Sequence, residues 1–351
     1  MSSPSLPTLP KQASDVPWPG DDWPTAEPGA DVDRTRLDAT LDRGFGPDAD
    51  PGLGETLASV VVHRGQLVRE RYVEGKGPED TFISWSMAKS ITHALVGILV
   101  SQGRLDPAAP APVPDWQGEG DPRSAITLEN LLRMCDGLDF TEVYEEDAGA
   151  SDVIEMLFRS GKSDVAGFAR SRGAAHAPGA WWNYSSGTSN IVSWIVGRAV
   201  GGGREGMEAF MRTSLFDPIG MRSATMRFDD AGTFIGSSFV FATARDFARF
   251  GHLYLRDGVW GAAETRILPD GWVDHARRPT PASSGWYGAH WWLALDDSGT
   301  FSANGYQGQY IVVVPSRDLI LVRLGISTPE QRVEVLRWLR DLARSFPLAH
   351  V

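Results

Sequence analysis

Ser86 and Lys89 stand three residues apart in SWSMAKS (84–90), at the mouth of the apolar run ITHALVGILV (91–100). On a helix, positions three apart share a face, so a hydroxyl and an amine would meet there. A serine in the first helical turn lies among backbone N–H groups that have no intrahelical partner, and the positive end of the helix dipole stabilises an oxyanion forming beside them. The same dipole, together with burial, disfavours an ammonium. That lowers a lysine's pKa and suits it to take the proton of a serine nucleophile. The chain has four lysines, Lys11, Lys76, Lys89 and Lys162, and its other basic residues are arginines. Arginine cannot give up its proton, so a lysine kept in an apolar helix fits a base better than a surface charge. On these residues alone a second reading stands beside the first: Ser86 caps a helix and Lys89 is a solvated charge.

Other chemistries are poorly represented. There is no G-x-S-x-G elbow, no H-E-x-x-H, no P-loop and no G-x-G-x-x-G after a strand. The run GGG at 201–203 follows a helical segment and reads as its terminus. Seven histidines are scattered along the chain, and His93, two turns beyond Ser86, reads as a packed helix residue. The pair Glu145 and Glu146 reads as solvated loop charge. A single cysteine, Cys135, excludes an internal disulfide and a cysteine zinc cluster. With 33 basic against 45 acidic residues the net charge is -12, which repels nucleic acid and anionic membranes. No apolar run reaches eighteen residues and the N-terminus lacks a secretory pattern, so the expectation is a cytoplasmic protein that does not span a membrane.

The elements that must position Ser86 and Lys89 follow from periodicity. Residues 1–30 carry seven prolines and read as an extended arm. LASVVVHRGQLVRERYVEG and, near the other end, GQYIVVVPSRDLILVRLG each give two β-rich runs around a turn, and PEQRVEVLRWLRDLARSF is an amphipathic helix. Between them lie helical segments at 87–102, 127–135, 151–158, 188–200, 207–215 and 244–256, with Thr127 and Thr243 placed as caps. The implied fold is α/β of the α+β kind. An antiparallel sheet built from both chain ends and flanked by helices (31–83 and 236–351) would hold an inserted, mainly helical lobe (84–235), with a cleft between the two.

Two further stretches sit where such a pair needs help: PGAWWNYSSGTSN (178–190) and ANGYQGQYIVVVP (303–315). With SWSMAKS, their order and spacing resemble the serine β-lactamase superfamily. The resemblance is to its class C-like branch, nearest to aminohexanoate-dimer (nylon oligomer) hydrolases and related carboxylesterases, and it covers most of the chain from about residue 30. It implies a β-lactamase/transpeptidase-like fold in which Ser86 is the acylated nucleophile, Lys89 its base and Tyr184 the proton relay to the leaving group. Beside a lysine ammonium the phenolate form of Tyr184 would be favoured, which would let it share a proton with Lys89 and Ser86. The backbone N–H groups of Ser86 and Gln309 would form the oxyanion hole, with Tyr306, Gln307 and Gly308 on the strand edging the cleft and Gly308 admitting the substrate closely. Tyr144, in DGLDFTEVYEED, takes the place of a substrate-contacting tyrosine. Ser186, which the resemblance places among the substrate-binding residues, stands where the second motif usually has asparagine, and Tyr306-Gln307-Gly308 replaces K-T-G. Without that lysine's cation, simple esters or linear amides are favoured over β-lactams. Trp181 and Trp182, with Trp85, Trp286 and Trp291, would wall an apolar pocket for the substrate.

The expected activity is therefore ester or linear amide hydrolysis of a small acyl substrate through an acyl-enzyme, with no metal or organic cofactor and no nucleic-acid or membrane partner; oligomeric state is left open. The rivals are a catalytically silent binding protein of the same fold and a peptidase or penicillin-binding homologue.

Overall fold

The runs SVVV, YIVVV and LILV contain almost no polar residue because the sheet they form is covered on both faces. The structure is a computed structural model that describes residues 6–144, 151–293, 295–296 and 298–349. The first residues of the arm and the pair Glu145 and Glu146 lie outside that set. Helix α1 (Arg34–Asp42) precedes strands β1 (Glu55–His63), β2 (Gln66–Tyr72) and the short β3 (Thr81–Ile83). Helices α2 (Ala88–Ser101), α3 (Leu128–Leu132), α4 (Asp152–Phe158), α5 (Val165–Arg170), α6 (Ser186–Val200) and α7 (Gly203–Met211) follow. Next come β4 (Thr225–Met226), β5 (Val240–Thr243), α8 (Ala244–Leu255), β6 (Val259–Trp260), β7 (Thr265–Arg266) and α9 (Trp272–Arg277). The hairpin strands β8 (Phe301–Gly305) and β9 (Gln309–Val314), then β10 (Leu319–Ile326) and α10 (Arg332–Arg344), complete the order.

The main sheet has the order β2-β1-β10-β9-β8, antiparallel throughout. Strand β1 pairs along its length with β10, Val60 opposite Val322 and Val62 opposite Ile320, so both chain ends build one sheet. Val61, Val312, Leu319 and Leu321 turn to α1 and α10, where they meet Leu37, Leu41, Trp338 and Leu339. Val60, Val62, Ile320 and Val322 turn to the larger core with α8. The arm covers the β2 edge, where Leu67 donates to Pro24 and Ala26 donates to Leu67. An open edge would invite pairing with another chain.

Helix α2 is buried on nearly every side, its polar Lys89, Ser90, Thr92 and His93 included, and runs through the larger core. Gly97 is required there, since a Cβ would lie 2.4 Å from the Trp272 indole nitrogen. Thr127 caps α3 in a capping box with Asn130, and Thr243 caps α8, as their positions predict. Three helical expectations shift. The predicted 127–135 helix spans only Leu128–Leu132, and Met134 beyond it is left-handed at φ +58°. The predicted 207–215 segment starts at Gly203 and ends in a π-helical turn, Arg212–Phe216, and the predicted 188–200 helix begins two residues earlier because Ser185 is its cap. Among the described residues no helix is long and apolar enough to cross a membrane.

Candidate active site

Ser86 sits in a 3-10 turn, Trp85–Met87, that leads straight into α2. Ser84 anchors the turn to β5: its amide donates to Val240 O at 2.8 Å and its hydroxyl accepts from Val240 N at 3.1 Å. Trp85 is held at φ +43°, a left-handed conformation that an L-residue with a side chain adopts at a cost of about 1–3 kcal/mol and that persists when its surroundings fix it. One turn beyond Ser86, at the second position of α2, Lys89 is 1% exposed. Its Nζ lies 3.1 Å from Ser86 Oγ, 2.9 Å from Ser186 Oγ and 3.0 Å from Ser237 O. Burial brings the Lys89 pKa down to about 8, while the Glu142 carboxylate pulls it the other way.

Glu142 is the residue that the sequence reading passed over. Its carboxylate accepts from the Ser186 amide at 2.7 Å and from the Ser186 hydroxyl at 2.6 Å. These bonds fix the direction of the whole chain. The Ser186 hydroxyl gives its proton to Glu142, so it accepts from Lys89, and Ser237 O can only accept. A neutral Lys89 has two N–H bonds and one lone pair. With both N–H bonds committed, the lone pair faces the Ser86 hydroxyl, which is the arrangement a general base needs.

Tyr184 comes in from the segment before α6, pinned by Asn183, whose amide donates to Met134 O and whose side chain donates to Phe140 O. Lys89 Nζ stands 4.9 Å from the Tyr184 ring centre, and the phenol meets Ser86. Burial first, and the Glu142 charge second, push its pKa well above the ordinary phenol value, with the Ser86 hydroxyl opposing. The expected stabilisation of a phenolate by Lys89 is thus reversed: in this setting Tyr184 holds its proton.

The opposite wall is the β8–β9 hairpin. Its turn, Tyr306-Gln307-Gly308, packs on the Trp85–Met87 turn so closely that a Cβ on Gly305 would lie 2.4 Å from Ser84 O. Gln307 and Gly308 are left-handed, at φ +62° and +83°. Gly308 lines the cavity and also has a structural reason to be glycine. A Cβ there would lie 2.3 Å from Nη1 of Arg323, which is fully buried beneath the turn. Arg323 donates to Gly308 O at 2.7 Å, Leu53 O at 2.8 Å and Ser327 Oγ at 2.9 Å, and burial lowers its pKa to about 10. The Gln309 side chain is tied to both Gly325 backbone groups, leaving only its backbone to take part in the cleft.

Between the walls lies a cavity of about 490 Å³ lined by Ser86, Glu142, Tyr144, Tyr184, Trp292, Tyr306, Gln307, Gly308 and Arg332, among others. Tyr144 stacks on Tyr306 at 4.8 Å and donates to Glu142 Oε1 at 3.3 Å, spanning the two walls. Ser186 does not reach the cavity surface; it is fully buried between Lys89 and Glu142. Nor do Trp181 and Trp182. Trp181 projects to solvent, as does Trp286, while Trp182 packs behind Trp292 and Trp291 is sunk against Tyr254 and Phe301. The cavity tryptophan is Trp292, 5.1 Å from Tyr184. Of the pair Trp291-Trp292, only a strand alternation could single out the second, and the segment has only isolated bridges there. Among the described residues no group of His, Cys, Asp or Glu side chains is placed to hold a metal ion.

An antiparallel sheet from both chain ends, a helix opening on Ser-x-x-Lys and a Tyr beside the pair together define a hydrolase of the β-lactamase fold. Residues 51–344 match the Beta-lactamase family, and the chain belongs to that family. It is 28% identical over 310 residues to the 6-aminohexanoate-dimer hydrolase of Paenarthrobacter ureafaciens, covering 82% of this chain and 77% of the relative. Among solved structures, a Bacillus anthracis protein provisionally named a 6-aminohexanoate-dimer hydrolase superposes with a TM-score of 0.75 at 24% identity, over 94% of this chain and 90% of the other. A D-stereospecific amidohydrolase from Streptomyces sp. shares the fold with a TM-score of 0.62 at 15% identity, over 88% and 98%.

Proposed function

We infer that the protein is a serine hydrolase that cleaves esters or linear amides of small acyl groups through an acyl-enzyme on Ser86. The observation that carries this reading is the geometry at Lys89, whose Nζ lies within hydrogen-bond reach of Ser86, Ser186 and Ser237; in the neutral amine Ser186 and Ser237 take both N–H bonds and the lone pair is left for Ser86. Lys89 takes the Ser86 proton as Oγ bonds to the substrate carbonyl carbon, and the backbone N–H groups of Ser86 and Gln309 receive the oxyanion. As the bond to the leaving oxygen or nitrogen breaks, Tyr184 gives it a proton and recovers one from the Lys89 ammonium. Water then attacks the acyl carbon, losing its proton through the same pair, and the Oγ–carbon bond breaks as Ser86 is reprotonated. Tyr144 and Tyr306 cover the bound acyl group, and Tyr306, Gln307 and Gly308 border it.

Cleavage of a linear amide agrees with the name of the curated relative. The hairpin turn presents no lysine at its K-T-G position, so the cleft offers no ammonium there for a β-lactam carboxylate. Intact-mass analysis after fluorophosphonate treatment, paired with p-nitrophenyl acetate turnover, tests the reading. Wild type gains one adduct and turns over the ester, and Ser86→Ala does neither; a wild type inert in both assays sinks it. Nitrocefin hydrolysed faster than short esters would overturn the preference against β-lactams.

A further inference from the structure

Helix α6 buries a stripe of polar side chains. Ser186, Ser189, Asn190 and Ser193 share one face of it, and none is more than 1% exposed. A helix face sunk in a core is ordinarily apolar, so each of these residues needs a reason. Three find strong partners: Ser186 joins Lys89 to Glu142, Ser189 meets His290 Nε2 at 3.0 Å, and Ser193 donates to Phe234 O at 2.6 Å. Asn190 is different. Its Oδ1 accepts from the Ser237 amide at 3.1 Å, and because a backbone N–H can only donate, that bond fixes which way the side-chain amide is turned. The Nδ2 end is left with Met156 Sδ at 3.6 Å, a weak acceptor. A buried amide satisfied at one end costs stability that an apolar side chain would not. Stability therefore does not account for Asn190, and what its Oδ1 holds must.

It holds the middle of an irregular segment, residues 234–238, that runs between α2 and α6. The flanks of the segment have anchors of their own: Ser193 on Phe234 O, Thr92 on Gly236 O at 3.0 Å and Ser84 on Ser238 O at 3.2 Å. Gly236 admits no side chain, since a Cβ would lie 2.4 Å from Thr92 Oγ1. A glycine beside Ser237 also leaves the backbone there free to turn unless something grips it. Asn190 grips it on the amide side, and on the carbonyl side Ser237 O lies 3.0 Å from Lys89 Nζ.

We propose that Asn190 is a positioning residue for Lys89: by holding the Ser237 amide it sets the Ser237 carbonyl against the amine. Ser186 and Asn190 stand four apart on α6, so one helix commits both N–H bonds of the neutral amine, the first directly and the second through Ser237. The lone pair is thereby turned to Ser86 by the register of α6 and not by α2, which carries the lysine. This rests on the acyl-transfer reading of the cleft.

The test is a double-mutant cycle on the rate of fluorophosphonate labelling. Asn190→Leu slows labelling about tenfold, the cost of a misaligned base. In a Lys89→Met background the same substitution changes the rate by less than about twofold, because the amine through which it acts is gone. An equal loss in both backgrounds, which would mean that Asn190 holds Ser86 or the fold, overturns the proposal, and so does no loss in either. Thermal melts check that the variants are folded. Where Asn190→Leu is not, Asn190→Ala removes the same oxygen without adding bulk and carries the same expected outcomes. A second measurement needs no turnover. The chain has four lysines, so the Cε resonance absent from Lys89→Met is that of Lys89, and its titration midpoint in wild type lies at about 8. In Asn190→Leu the ammonium loses a well-placed acceptor and the midpoint falls by about half a pH unit; a midpoint that stays in place overturns the assignment. A wild type that fluorophosphonate does not label would remove the acyl-transfer reading, while the midpoint still decides whether Asn190 governs Lys89.

Discussion

Two buried cations serve the two walls of the cleft. Lys89, on the helix wall, and Arg323, beneath the hairpin wall, are at most 1% exposed, and among the described residues neither forms an ion pair with a carboxylate. Each is held by three oxygen atoms, and burial lowers the pKa of both, to about 8 for Lys89 and about 10 for Arg323. The outcome differs in kind. Near neutral pH a measurable fraction of Lys89 is uncharged, whereas Arg323 keeps its proton and can only hold. One wall therefore carries a proton that can move, and the other carries a fixed charge that clamps a backbone turn.

The strongest way to break this contrast is to give the helix wall the other cation. Lys89→Arg retains a charge but abolishes the base, and the rate of fluorophosphonate adduct formation should fall by about 10³-fold, within the range for lost general-base catalysis. A labelling rate within tenfold of wild type would mean that Lys89 does not activate Ser86. Arg323→Met should lower kcat by about 10²-fold, the loss typical of a displaced oxyanion donor, and should lower the melting temperature because the Gly308 and Leu53 carbonyls lose their donor. A variant that melts early but keeps its kcat would show that the clamp serves stability alone.

Glu142→Gln sharpens the same contrast with a smaller effect. An amide offers one acceptor oxygen where the carboxylate offers two, so one Ser186 donor is stranded and the Lys89 lone pair is no longer aimed by its neighbours. We expect a roughly tenfold lower kcat. The pH profile reads the charge effect separately. In the proposed mechanism Lys89 acts when neutral, so kcat/KM should rise with pH through about 8 and then level. Glu142 raises the Lys89 pKa, so removing its charge moves that limb to lower pH, while Arg323→Met leaves it in place. The smallest effect is on stability. Folded Lys89 loses its proton near 8 and unfolded lysine near 10.5, so between those values the unfolded chain binds more protons and stability climbs with pH. Lys89→Met should flatten that slope in melts taken from pH 8 to 10.

The helix wall was the more legible of the two in sequence. Ser86, Lys89 and Tyr184 were singled out and the structure brings them together, and the paired β runs at each end of the chain declare the sheet because unbroken apolar strands need cover on both faces. What stayed hidden were residues whose type is common in their surroundings. Glu142 is one acid in a loop segment with several, and only the three-dimensional approach of Ser186 distinguishes it. Arg332 is one of several arginines on an amphipathic helix, where a cation on the outer face is unremarked. The tryptophans misled for a related reason: in an aromatic-rich chain, a pair such as Trp291-Trp292 gives no sign of which ring faces the core and which the cavity. Ser186 was read as a substrate contact because its motif position suggested one, whereas burial makes it a link between two charged groups.

The pairing of β1 with β10 also imposes an order of events on synthesis. Ser86 and Lys89 are made within the first hundred residues, whereas the hairpin turn that completes their cleft lies beyond residue 304 and the strand that seats it in the sheet ends at Ile326. Contacts so distant along the chain close slowly. On the proposed mechanism, a nascent chain on the ribosome thus carries Ser86 and Lys89 for most of translation without the turn that would receive an oxyanion, and it stays chemically mute until nearly the last strand emerges.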